Sequence, residues 1–300
     1  MSTVYPAIRN TYFSKSTVNY LMGLVAVLAF ALTGPLTSIS LQTIDATFSA
    51  AYRTTLAGIL AAIILTVTKS RFPDRQEYRW LIPAALCVAI GFPYFTSYAM
   101  RHTGAIDTGI VFGIIPVLTA LCGIFIHRRQ MVWKFWLWAC CAALIITVFY
   151  VQHGLRLSPF LLCAAVVAAI GYTAGSKCAQ TLGGWQTISW SVVFLLPING
   201  ALMISNLEVD TLSRMSISSF FANTYLGVVS QWLGFFLWYR ALSEDIQRVS
   251  QIQVLQPVAT AVFATLLLNE SMSSGLGMIT GLLIICLLGC MKSGQSSKND

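Results

Sequence analysis

Residues 251–258 read QIQVLQPV, and the chain runs on through ATAVFATLLL (259–268) without a charge. Three glutamines and a proline thus open an otherwise apolar segment. A buried amide costs free energy unless it is hydrogen-bonded, and proline removes a backbone donor and crowds the turn before it. What such residues are doing depends on the solvent, and composition sets the solvent. Of the 300 residues, 57% are hydrophobic and only 9% are charged. A soluble domain averages about 25% charged residues. With a mean hydropathy of +0.75, a water-soluble fold would have too little polar surface to cover itself. The expected class is an all-α polytopic membrane protein.

Crossing a bilayer takes about 20 mostly apolar residues. Ten such segments are read along the chain, at 18–38, 45–68, 79–100, 105–126, 132–151, 158–179, 186–205, 217–240, 250–269 and 275–291. The run from Tyr20 to Leu36 is too long for the apolar core of a signal peptide and reads as an uncleaved helix. The polar tail SGQSSKND is expected to be disordered. Lys and Arg fall 14 to 3 on alternate sides of these segments. That asymmetry places both termini in the cytoplasm, and the expected location is the cell membrane, a bacterial inner membrane. The net charge of +8 resides in the short loops and forms no basic face, so nucleic acid is not an expected partner. The expected partners are a small-molecule solute and membrane lipid, and a homodimer is left open.

Several chemistries find no support. The eight cysteines lie in apolar runs without a CxxC pair, and no histidine stands at ligand spacing from them. No metal site and no cofactor are expected. His102, His127 and His153 fall in loops, there is no HExxH, and no two carboxylates share a predicted membrane face. An intramembrane enzyme is therefore disfavoured, as is a structural assembly factor, which would not need polar groups within its apolar segments.

The halves of the chain match each other. A shift of 141 carries Phe95 onto Phe236, Tyr98 onto Tyr239, Pro116 onto Pro257, Thr119 onto Thr260 and Ala120 onto Ala261. A shift of 140 carries Leu21 onto Leu161 and Thr33 onto Thr173. Helices 1–5 (18–151) thus correspond to helices 6–10 (158–291). Five is odd, so the second copy must enter the membrane from the opposite side. Such an inverted repeat can rock about a central site between its halves.

The stretch YRALSEDIQRVSQIQVLQPVATAVFATLLLNES (239–271) resembles the signature of EamA-type transporters of the drug/metabolite transporter superfamily. AAYRTTLAGILAA (50–62) resembles that family's arginine-bearing second helix, and FTSYAMRHTGAIDTGIVFGIIPVLTAL (95–121) its third and fourth helices. The resemblance covers about residues 20–290. Two positions depart from it. FALTGP (30–35) has no tryptophan before its glycine, and Asn269 stands where the family has glycine. The resemblance implies ten helices in two EamA repeats. It also implies transport of small metabolites, often export of amino acids or their relatives.

The polar residues can then be placed. At 100° per residue, Gln253, Gln256 and Thr260 share one helical face beside Pro257, while Gln251 points elsewhere. Pro257 is expected to free the carbonyl of Gln253. Amides facing lipid would be unsatisfied, so this face meets either a solute pathway or another helix. Pro116 is the matching helix-breaker in the fourth segment, among apolar neighbours. Tyr94, Ser97 and Tyr98 share a face of the third, Tyr172 and Ser176 a face of the sixth, and Trp190 lies early in the seventh. Rings with polar tips suit amphipathic solutes, although Tyr and Trp also anchor helices at interfaces. Arg53 lies eight residues inside the second segment, about 12 Å deep. It can bind a solute carboxylate or pair with Asp107. The candidate binding set is therefore Arg53, Tyr94, Tyr98, Tyr172, Trp190, Gln253 and Gln256. Asp107 alone among the carboxylates lies inside a segment, so no proton relay past a central site is evident. Glu270 is expected to face solvent. The glycines of GYTAG (171–175) and GLGMITG (275–281) read as helix-packing contacts and not as phosphate loops.

Overall fold

A computed structural model describes residues 15–127, 132–152, 158–207, 209–244, 246–270 and 274–295. The tail 296–300, Arg128, Arg129 and the side chains of Gln251 and Arg248 lie outside the described residues. Every regular element among those described is helical. Five helices are long and apolar enough to cross a membrane: Thr17–Ser40, Ala46–Val67, Arg75–Ala99, Ala105–Ile126 and Pro159–Leu182. Gly184–Phe194 and Leu196–Ser205, bent by 47°, make a sixth if taken together. Helix also fills the other segments read as spans, including Trp133–Gln152 and Ser274–Gln295. The chain is thus an all-helical, multi-pass membrane protein. A short helix not foreseen from the sequence, Val209–Arg214, sits in the connection after Ser205.

The long helices are broken where the sequence puts their breakers. Pro116 stands second in Ile115–His127, and Pro257 stands second in Gln256–Leu268. In the first helical turn the missing N–H is an orphan anyway. The shift of 141 carries 115–127 onto 256–268, the bounds of the second helix. It also carries a π-helical turn at Leu86–Gly91 onto 227–232, inside a second π-helical run at Leu226–Leu233. The carbonyl of Gln253 is not left free, as the sequence suggested. Ser250–Leu255 tightens to a 3₁₀ turn, and that carbonyl accepts from the N–H of Gln256.

Packing is dominated by contacts between the halves. Lys15–Ala31 packs on Gly234–Glu244, and the corresponding pair, Arg75–Ala85 and Pro159–Leu182, packs likewise. Ala46–Val67 lies against Gly184–Phe194 and Leu196–Ser205, Ala105–Phe112 against Gln256–Leu268, and Trp133–Gln152 against Ser274–Gln295. Exchanging the halves maps this set of contacts onto itself, as a two-fold relation requires. Small residues permit the closest approaches. A Cβ on Gly175 would fall within the Tyr239 ring, and one on Gly171 would meet Val88 at 2.7 Å, so GYTAG is a packing motif as read. GLGMITG is not, since Gly277 and Gly281 have nothing within 4 Å.

Glu270 corrects another expectation. Its carboxylate does not simply face solvent: it accepts from the N–H groups of Ala105 (3.0 Å) and Ile106 (3.1 Å). It therefore caps a helix of the other half, where the orphan N–H groups and the helix dipole favour an anion. Asn269 enables the reach by ending its own helix in the left-handed region, φ 54°. Asn tolerates that conformation better than other non-glycine residues, which explains how it replaces the expected glycine. Glu270→Ala is expected to destabilise the protein by about 1 kcal/mol, as loss of a helix cap does, measured by thermal unfolding in detergent.

Candidate functional site

Arg53 is 1% exposed in the middle of its helix. It does not pair with Asp107. Its Nη2 donates to Gln231 Oε1 at 3.2 Å, and its buried Nε and Nη1 have no hydrogen-bond partner. An intramembrane guanidinium held by one neutral amide is costly, and proteins retain such groups for function more than for stability.

The surroundings of Arg53 are built by the two π-helical turns. Inserting a π turn displaces the regular ladder and frees carbonyls, and such turns are frequent at functional sites. Here Gln231, in one π run, donates through Nε2 to the carbonyl of Val88 (2.8 Å), in the other. The next carbonyl, of Ala89, accepts from Asn199 Nδ2 at 3.2 Å. Tyr94 donates to Asn199 Oδ1 at 3.0 Å. Successive residues of the second run reach different helices. Ser230 meets Thr33 at 3.0 Å, Gln231 meets Arg53, and Trp232 donates to Ser189 at 3.0 Å. Gly227 makes this approach feasible, because a Cβ there would lie 2.8 Å from the carbonyl oxygen of Arg53.

The glutamines that open the ninth segment complete the cluster. Gln253 Nε2 donates to Gln256 Oε1 at 3.1 Å, and both side chains are buried. Thr260 donates to the carbonyl of Ala31 (3.0 Å), at the break between Lys15–Ala31 and Thr33–Ser40. The Oε1 of Gln253 has no partner. Tyr172 connects this pair to Arg53, lying within hydrogen-bonding reach of Gln253 and close enough to Arg53 for a charge interaction. Its ring packs with Phe30, Phe235 and Trp238 at centroid separations of 5.6–6.4 Å.

The structure therefore brings together Arg53, Tyr172, Gln253 and Gln256, with Tyr94 joined through Asn199. Trp190 and Tyr98 lie apart from them. Trp190 packs with Leu65, Leu81 and Leu182, and Leu65 is twelve residues beyond Arg53, about 18 Å along the helix. Tyr98 hydrogen-bonds Thr47 at 2.7 Å, near the opposite end. That end carries a pocket of about 400 Å³ lined by Asp45, Arg101 and Arg214, among others. Asp45 is ion-paired with Arg101, which also lies over the Tyr98 ring at 5.7 Å. At the Trp190 end, Arg71 holds both oxygens of Glu77 (2.8 and 2.9 Å). Pro116 and Pro257 shape helix breaks and offer no polar atom beyond the backbone. Sequence reasoning missed Gln231, Asn199 and Asn223. All three are buried amides inside apolar segments, the same signal that flagged Gln253 and Gln256.

If the Gln253–Gln256 face lines a pathway, single cysteines there, in a background without reactive native cysteines, should react with a small water-soluble thiol reagent. Solute should slow both reactions, whereas a cysteine at 251 should show no such protection. Equal behaviour at the three positions would defeat the helical-face reading.

Two comparisons bear on this site. The chain is 29% identical over 279 residues to the uncharacterized transporter YdeK of Bacillus subtilis (strain 168), covering 91% of this chain and 97% of that protein. One solved crystal structure superposes with a TM-score of 0.68 at 14% identity, over 91% of this chain and 97% of its own. That likeness speaks to the fold alone. The model of the EamA-like transporter family matches twice, at residues 17–151 and 157–291. The chain is a membrane transporter that belongs to the EamA-like transporter family.

Proposed function

We propose that this protein carries a small amphipathic metabolite with an anionic group across the cytoplasmic membrane, in the direction of export. The observation that carries this reading is Arg53, fully buried with two guanidinium nitrogens unpartnered. A solute carboxylate would supply the missing acceptors through charge-assisted hydrogen bonds. Amino acids and their relatives are the class that the family resemblance suggests.

Alternating access of two inverted five-helix halves is the mechanism. The exchange symmetry of the helix contacts and the matching π turns support it. With both termini cytoplasmic, the Asp45–Arg101 pair would close the outer end and the Arg71–Glu77 pair the inner end. Each would have to break in turn. Ten spans and this orientation predict that reporter fusions after residues 41, 128 and 300 read outside, inside and inside. An outside C-terminus would contradict the inverted arrangement.

The test of function is a metabolite panel. Overexpression should change tolerance to one class of toxic metabolite analogues, and purified protein in liposomes should move members of that class. Movement of no anionic or zwitterionic solute would overturn the proposal.

A further inference from the structure

We infer that the transported solute carries one net negative charge and, beside it, an uncharged hydrogen-bond donor. This deepens the reading of Arg53 as the anion site and rests on it. Among the described residues only two charged side chains are buried, Arg53 and Glu77. Glu77 is neutralised where it stands: Arg71 and the N–H of Asp74 hold its oxygens at 2.8–2.9 Å. It is also remote, because Cys178, which lies against its backbone, packs with Leu65, at the far end of the Arg53 helix. At the opposite end, Asp45 is committed to Arg101, and Glu270 caps a helix. The side chains placed around Arg53 are neutral: Gln231 and Tyr172, with Gln253 next to Tyr172.

Charge balance then discriminates between solutes. A bound monoanion brings the buried site to zero net charge. A zwitterion leaves it at +1, and a dianion at −1, and either residual charge is penalised in a low-dielectric interior. The second half of the recognition comes from Gln253. Its unpartnered Oε1 is an acceptor without charge, suited to a hydroxyl or amide N–H and less so to a strongly hydrated ammonium. The matching chemistry is a 2-hydroxy acid or an N-acyl amino acid, which are relatives of amino acids that lack the free ammonium. Export follows from the same balance, since an inside-negative membrane potential drives a monoanion outward.

The experiment uses two matched probe series and the full-length protein purified in detergent. One series is phenyllactate, N-acetylphenylalanine, phenylalanine and phenylalaninamide. The other has the leucine side chain in the same four forms. Binding is read by thermal stabilisation and intrinsic tryptophan fluorescence. In at least one series the two monoanions should bind about tenfold or more tighter than the zwitterion, a modest share of the cost of one uncompensated intramembrane charge. The amide should bind weakest. Arg53→Gln should erase the ranking, and Arg53→Lys should keep it in part. In liposomes an inside-negative potential should speed efflux of the preferred monoanion. If the zwitterion binds as tightly as the N-acyl form and still depends on Arg53, the monoanion inference is wrong while the anion site stands. If no probe binds, or binding ignores Arg53, the anion site itself is wrong.

Discussion

Arg53→Met protein should reach the membrane in normal amounts, unfold at the wild-type temperature or above it, and transport nothing. The two halves of that result have one cause. Arg53 is 1% exposed, and its single side-chain bond goes to a neutral amide. Exchanging a poorly compensated buried charge for an apolar side chain of similar length is often neutral or stabilising by about 1–4 kcal/mol. The lost bond to Gln231 offsets part of that gain. Transport, in contrast, loses its charge-assisted contacts to the solute. Truncating one partner of such a pair costs about 2–5 kcal/mol, so the rate at low solute concentration should fall by about 30-fold to several thousand-fold. Transport and thermal unfolding measured on one preparation separate this outcome from misfolding. Restored activity in the Arg53→Asp, Asp107→Arg double variant would revive a structural pairing that the geometry does not show.

Gly175→Val should have the opposite profile, with little folded protein in the membrane. Even a Cβ at this position would occupy the Tyr239 ring. That ring is fully buried and cannot swing aside, and its hydroxyl donates to the carbonyl of Gly171 at 3.2 Å. Overpacking of a close-packed site costs about 1–3 kcal/mol, occasionally more, and two extra methyl groups against a rigid ring belong at the upper end. Gly200→Ala is the control, since nothing lies within 4 Å of a Cβ there. The gain in helix propensity should make it neutral or stabilising by about 0.5–1 kcal/mol. Fluorescence-detected size-exclusion of tagged variants reads both. A monodisperse, abundant Gly175→Val protein would show that the Gly175–Tyr239 contact does not hold the halves together.

The helical architecture was legible in the sequence because both of its causes are local. Apolar length marks a helix in lipid, and the prolines at 116 and 257 mark breaks at the same place in each half. Arg53 was legible as a charge too deep to be incidental. Its partner was not, since Gln231 lies 178 residues away, and only tertiary packing decides between it and Asp107. The π turns escaped notice for the same reason. LCVAIG and LGVVSQWL have no local feature that forbids a regular helix, and the turns are held by side chains of other helices binding their carbonyls. Glu270 was misread because its target, the start of Ala105–Phe112, is exposed only in the assembled fold. Trp190 matched the pattern of a pathway aromatic, but periodicity specifies a helix face and not a depth, and its depth put it with Leu65 and Leu81.

Counterflow in liposomes tests the central claim most directly. Purified protein is reconstituted into vesicles preloaded with unlabelled solute, a trace of labelled solute is added outside, and internal label is followed in time. A carrier that exposes one site to alternate sides exchanges label for unlabelled solute, so internal label should rise above its equilibrium level before falling back. Label that merely equilibrates without an overshoot, or that stays outside for every solute of the panel, would contradict the account.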